Sequence, residues 1–348
     1  MRVLATRLAT ALLLGAVAVW PLPSRAGETI EILLAHDQLQ VPANTTPAIL
    51  AAEFRAQADR MSNGRIKVDI LPNAMLGGNL DVVRLVEKNV VHSALTPIGA
   101  VAAVYPPLRA TVLPFSFDRI ETARKVMNGG YRQRLANDMS ASVNLQLLGF
   151  ADAGGFDILT NLDREIGSPD DMWGLNIASF PDLPELDAMI KATGAKAVKV
   201  SMREKINALT SHALDGQTGT ADMALAQGLP AIQGHATLTN HLYAPYVWVF
   251  SKEALEAMEP ADRAIIMKAA ETALAKALEH AAADERAQTP LKALRQNMSV
   301  RVLLPAEREA FKSVMLPAAQ EALTASLGAD GERLIKEFKA AIRAAEGR

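Results

Sequence analysis

Cysteine is absent from the 348 residues, which rules out disulfide staples and thiolate metal ligands and leaves burial as the source of stability. A strong charge of either sign is absent too. The 36 basic and 38 acidic residues give a formal net charge of −2, no electrostatic case for nucleic acid or an anionic membrane surface. The six histidines show no H-E-x-x-H spacing, and the chain has neither a nucleophile elbow nor a Walker loop. Metal-assisted hydrolysis and nucleotide chemistry therefore find no support, and no cofactor is implied. Beyond residue 19 no comparable apolar run occurs, and neither a fixed-period repeat nor a low-complexity tract is present.

What is present begins with Met1, Arg2 and Arg7, a basic start followed by an almost unbroken apolar run over residues 8–19. "PLPSRA" ends that run with helix breakers and small residues at Ser24 and Ala26. This three-part form reads as a secretory signal over residues 1–26, cleaved near Ala26. The run falls short of the roughly 20 residues that a spanning helix needs. The expected location of the mature chain is the periplasm. Its length suits two domains, and 50% hydrophobic with 21% charged residues is ordinary globular composition.

Strand and helix patterns alternate along the chain, the signature of an α/β fold with a largely parallel sheet. "TIEILLAH", "RIKVDILP" and "VHSAL" read as strands. Between the first two, Thr46 as N-cap, Pro47 at the first helical position and Gly64 as a stop predict a helix. Residues 79–88 predict another. "DRIETARKVMNGG" opens with Asp118 and Glu121 at capping-box spacing, and "SPDDMWG" offers Ser168 as N-cap before the strand "LNIAS". "AKAVKVS", "MREKINALTSH" and "ALDGQ" add further strand and helix units. Residues 262–297 predict one long Ala-rich helix kinked at Pro290, and two more helices follow over 305–326 and 330–345.

Five segments carry a family resemblance: "SNGRIKVDILPNAMLGG", "TVLPFSFDRIETARKVMNGGY", "GFDILTN…IGSPDDMWGLNI", "MREKINALTSHALDGQ" and "LTNHLYAPYVWVFSKEALEAM". In this order they resemble the periplasmic solute-binding proteins of TRAP transporters, of the dicarboxylate- and sialic-acid-binding type. The resemblance implies an α/β, two-lobed periplasmic-binding-protein-like fold with an interlobe cleft, crossing strands and a long helix in the C-terminal half bracing both lobes. Residues 27–153 with about 243–284 would form lobe I, and residues 154–242 with about 285–348 lobe II. It also implies partners: a small organic solute, and the small and large membrane permease subunits of the transporter. No nucleic-acid partner is expected, and a monomer is expected rather than a dimer.

In most members of this family an Arg in the strand after "GLKI" clamps a ligand carboxylate, assisted by an Arg in the "GFR" segment. Bidentate pairing of that kind supplies both energy and orientation. Here Ala178 stands at the first place and Asp157 at the second, and no Arg or Lys lies from residue 174 to residue 190. Met202 replaces a cleft phenylalanine, and Gly219 stands where an Asn reaches the ligand, with Thr218 beside it. Asn44, Asn79, Thr96 and Ser179 lie in loops or strand ends where this fold contributes cleft residues. Arg203 is the candidate basic partner of Asp157, or alternatively a cation that swings in to hold an anion, and Tyr243 follows the Thr-Asn-His crossing. Asp215 and Gln217 read as framework, and Glu204 as a loop-fixing residue. The expected ligand is a solute other than a standard dicarboxylate: neutral, polyol-like or cationic. The alternatives are a sensory protein that presents its ligand to a partner, and an exported α/β enzyme with a dispersed site.

Overall fold

Short apolar runs separated by amphipathic segments build two sheets, and the chain passes between them more than once. The computed structural model describes residues 29–38, 40, 45–179 and 183–347, with only the backbone of Met202 and Arg203. The expected signal at residues 1–26 and the candidate Asn44 lie outside the described residues.

In the first sheet β1 (Ile30–His36), β2 (Ile66–Leu71) and β3 (Ser93–Pro97) are parallel. Strand β10 (Tyr246–Ser251) inserts antiparallel between β3 and β4 (Leu145–Ala151), giving the order β2-β1-β3-β10-β4. The second sheet contains β5 (Ile158–Asn161), β6 (Asn176–Ser179), β7 (Lys196–Lys199), β8 (Gly216–Gly219), β9 (His235–Leu238) and β11 (Ser299–Val302). Its order is β11-β9-β5-β8-β6-β7, with β5 antiparallel to both neighbours. Each sheet is thus mostly parallel with one reversed strand. Those reversals are β5 and β10, each entered from the other sheet with no helix in between.

Three apolar clusters hold the layers. Helices α1 (Thr46–Met61) and α10 (Pro260–Ala287) cover one face of the first sheet around Phe54, Trp248 and Phe250. Trp248 is fully buried, meets Phe54 edge-on at 5.0 Å and donates Nε1–H to Ser93 Oγ at 2.9 Å. Helices α7 (Met202–Thr210), α8 (Ala221–Ala226) and α11 (Thr289–Leu294) cover one face of the second sheet, where Ile158, Ala178, Leu209 and Leu214 pack. The largest cluster joins the remaining faces through α4 (Ile120–Asn128), α6 (Pro184–Lys191), α12 (Pro305–Leu327) and α13 (Ala329–Glu346). Each fully buried Leu, Ile or Phe in these clusters contributes roughly 1.5–3 kcal/mol against conformational entropy.

Several local expectations are corrected. The N-cap of α1 is Thr45 and Thr46 is its first helical residue, so Pro47 sits one place further in. No capping box forms at α4: its N-cap is Arg119, and Asp118 pairs with Arg308 on α12 at 3.1 Å. The long Ala-rich helix ends at Ala287, because Gln288 takes a left-handed conformation (φ 52°, ψ 31°) and α11 restarts at Thr289. Helix α10 packs on α1 and β4 of the first sheet, then hands the chain to α11, which packs on α8 of the second. The last helix, α13, packs against both α12 and α4. Among the described residues no helix is long and apolar enough to cross a membrane.

Candidate functional site

The registers place one end of each sheet at the two crossing segments. In the first sheet the carboxyl ends of β1 and β3 share an edge with Tyr246, which pairs with Pro97 and Ala151. In the second, Ile158 pairs with Gly219, and Ser179 ends the adjacent strand β6. Residues 152–157 and 239–245 connect these edges, and Asp157 N–H donates to the Leu242 carbonyl at 2.8 Å, tying the two crossings together. Open α/β sheets bind ligands outside the carboxyl ends of their strands.

On the second sheet the edge carries a buried polar chain. Lys205 of α7 is 1% exposed and donates Nζ–H to Gln217 Oε1 at 3.0 Å. Gln217 Nε2 donates to Thr160 Oγ1 at 3.1 Å, and Thr160 Oγ1 donates to Gln233 Oε1 at 2.6 Å. Asp157 is 7% exposed beside this chain. Burial lifts its carboxyl to about 7, with the Lys205 ammonium pulling it back down. Burial likewise lowers Lys205 to about 8, opposed by Asp157. Both groups are buried, and each opposes the shift that burial imposes on the other.

The first sheet presents a second polar cluster. Tyr246 O–H donates to Asp37 Oδ1 at 2.9 Å, Gln38 Nε2 reaches both groups, and Asn79 Nδ2 donates to Asp37 Oδ2 at 3.0 Å. Asn79 opens α2 (Asn79–Glu87) after Gly78, which is why its amide reaches the end of β1. Thr96 Oγ1 and Thr45 Oγ1 are buried with no hydrogen-bond partner among the described residues, unspent capacity for a polar ligand. At the crossings, Asp152 accepts from the Gly154 and Gly155 amides at 2.8 and 2.6 Å and pairs with Arg124, which also holds Glu285. Gly154 has φ +102°, and a Cβ there would run into the Asp222 carboxylate.

The structure brings Asp157, Thr218 and Gly219 together on the second edge, and Asn79 and Thr96 on the first. Ala178 is buried among Ile158, Leu209 and Leu214 instead of standing open to solvent. The Ser179 hydroxyl is already committed to Asp187. Tyr243 is buried between Phe117 and Phe156, and burial, with Asp152 nearby, raises its phenol well above the ordinary value. Met202 and Arg203 lie in the first turn of α7. Glu204 forms a capping box with Ser201, and Asp215 accepts from the Asn176 amide at 2.6 Å. Trp173 is 75% exposed and covers Gly194.

Lys205, Thr160, Gln233, Asp37, Gln38 and Tyr246 were not singled out from the sequence. The signal for Lys205 was its place four residues before Leu209, on the apolar side of "MREKINAL", where a lysine must be buried or paired.

The sequence profile of the bacterial extracellular solute-binding proteins, family 7 (DctP), matches residues 39–325. The chain belongs to that family. The C4-dicarboxylate-binding periplasmic protein DctP of Rhodobacter capsulatus is 26% identical over 325 residues, 91% of each chain. Among solved structures, the sugar acid binding protein DctPAm of Advenella mimigardefordensis, in complex with galactonate, aligns with a TM-score of 0.83 and 23% identity. That alignment covers 91% of this chain and 99% of the other. A TRAP periplasmic solute-binding protein of Shewanella oneidensis with bound succinate gives 0.81 at 24% identity, covering 91% and 99%. These likenesses establish the two-lobed TRAP binding-protein fold for this family 7 chain.

Proposed function

We propose that this protein is the periplasmic solute-binding component of a TRAP-type transporter, exported by its N-terminal signal, and that its solute is neutral and rich in hydroxyl groups. The solute sits between the two sheet edges, bridges both lobes and favours their closure through contacts made to each. The closed protein then delivers it to the membrane permease. Related structures carry succinate, galactonate and orotic acid, so the fold itself accommodates varied solutes.

One observation carries the reading: this edge buries the acceptor Asp157 and the Lys205–Gln217–Thr160–Gln233 hydrogen-bond chain, and no arginine stands at 157 or 178. Such an edge gives a dicarboxylate no arginine clamp, and Lys205 disfavours a cationic solute. Hydroxyl groups, which both donate and accept, satisfy Asp157 as well as the Gln217, Thr160 and Gln233 chain. Native mass spectrometry of the protein taken directly from periplasm should show a retained neutral polyol or sugar. Thermal-shift measurements should give stabilisation by galactitol-like probes and none by succinate or malate. Tight succinate binding would sink the neutral-solute reading.

A further inference from the structure

Asp37 follows the last residue of β1 and is half-buried at the carboxyl end of the first sheet. Its Oδ1 accepts from Tyr246 O–H and from Gln38 Nε2–H, each at 2.9 Å, and its Oδ2 accepts from Asn79 Nδ2–H at 3.0 Å. These donors come from β10, from the residue after Asp37 and from the start of α2, so they fix the carboxylate from several sides. None of them carries a charge. The surrounding chain supplies no cation either: no Lys or Arg occurs in residues 27–54, 68–83, 89–108 or 239–251, the stretches that build this edge. His36 stays neutral beside it, because burial lowers its pKa and its Nδ1 accepts the Gln38 amide at 3.2 Å.

A carboxylate accepts roughly four hydrogen bonds, so these donors leave acceptor capacity on Oδ2. A solute hydroxyl can donate there. A solute carboxylate has no proton to give and meets a like charge with no cation at hand to offset it. Resting on the binding-protein reading above, we infer that Asp37 is a specificity-determining residue of the solute site: it accepts a solute hydroxyl at the first sheet's edge and turns solute carboxylates away from it. The two edges then discriminate by different means. The second lacks the arginines that would attract an anion, and the first adds a repulsion.

The experiment compares galactonate with galactitol, the same carbon chain with and without a carboxylate, by calorimetric titration. Asp37→Asn keeps the shape and removes the charge. It should bind galactonate at least tenfold more tightly than the wild type does, a wild-type failure to bind counting as a lower limit, and should gain nothing on galactitol. Asp37→Glu retains the charge and should bind galactonate no more tightly than the wild type. Thermal melts establish that each variant is folded. Galactonate binding by Asp37→Asn that is absent or equal to the wild type's overturns the inference. So does an equal gain on both solutes, or an equal galactonate gain in Asp37→Glu, since neither follows from charge. The parent reading fails separately: a wild type that prefers galactonate to galactitol ends the neutral-solute proposal, whether or not Asp37→Asn adds to that preference.

Discussion

Asp157 shows how one buried carboxyl ties ligand choice to stability. Its folded-state value of about 7 lies above the roughly 3.9 of an unfolded aspartate. The folded chain therefore holds a proton through that window that the unfolded chain releases. The associated stability is fully present below about pH 4 and is lost as pH rises through about 7. Half-buried Asp222, also lifted to about 7 by desolvation and then by Asp284 and Asp152, acts in the same direction. Buried His241, lowered to about 4, acts oppositely: its contribution is lost as pH falls from about 6.5 to about 4. Comparing Lys205→Met with Lys205→Met/Asp157→Asn cancels both of these and removes the Lys205 ammonium, whose own lowered value depends on Asp157. Urea melts should show the protein that keeps Asp157 losing about 2 kcal/mol or more relative to the one that lacks it between roughly pH 5 and pH 7.5. Parallel pH profiles would mean that Asp157 ionises much as it does in water.

At the scale of the element, the break between α10 and α11 makes a sharp case. Gln288 bridges two helices at φ 52°, ψ 31°, a conformation an unbranched residue tolerates and a β-branched one resists. Gln288→Val should cost about 1–2 kcal/mol, while Gln288→Gly should be neutral or gain up to about 1 kcal/mol, as read by chemical denaturation. A harmless valine would show that the two helices can run as one. The sequence displayed the periodic alanines and Pro290, which predict a long helix and a disturbance near its end. It did not display the left-handed residue, because neither Gln288 nor Thr289 is a usual stop signal. The same division applies elsewhere. Strands β1, β2, β3, β6, β7 and β8 and the Ser168 cap were legible from apolar runs and local caps. The box at Asp118 was not realised, because Arg308, 190 residues away, takes that carboxylate. At the site, Asp157 was legible from its motif neighbours. The Lys205 chain was not, since it depends on which strand lies beneath α7.

Across the whole molecule the lobes are not independent bodies, since the largest apolar cluster runs from the first sheet through α4 and α13 to α6 and α12 on the second. A buried ion pair crosses the same region. Arg109, on the 3-10 turn Pro106–Val112, donates through Nε and Nη2 to Glu185 Oε1 at 3.0 and 2.6 Å, and through Nη1 to Ser326 on α12 at 2.9 Å. Glu185 is fully buried, and its other carboxylate oxygen has no hydrogen-bond partner among the described residues, so Arg109 is its principal support there. Removing Arg109 alone strands that charge, which typically costs about 3–5 kcal/mol; replacing both members by apolar residues recovers much of the loss. Arg109→Met should therefore lower the melting temperature by roughly 10 °C, and Arg109→Met with Glu185→Leu by clearly less. Because one core spans both sheets, scanning calorimetry should show a single transition for all three proteins. Two resolved transitions in the wild type would mean that the shared core does not couple the lobes. An Arg109→Met melting temperature equal to the wild type's would mean that Glu185 finds another partner or a proton.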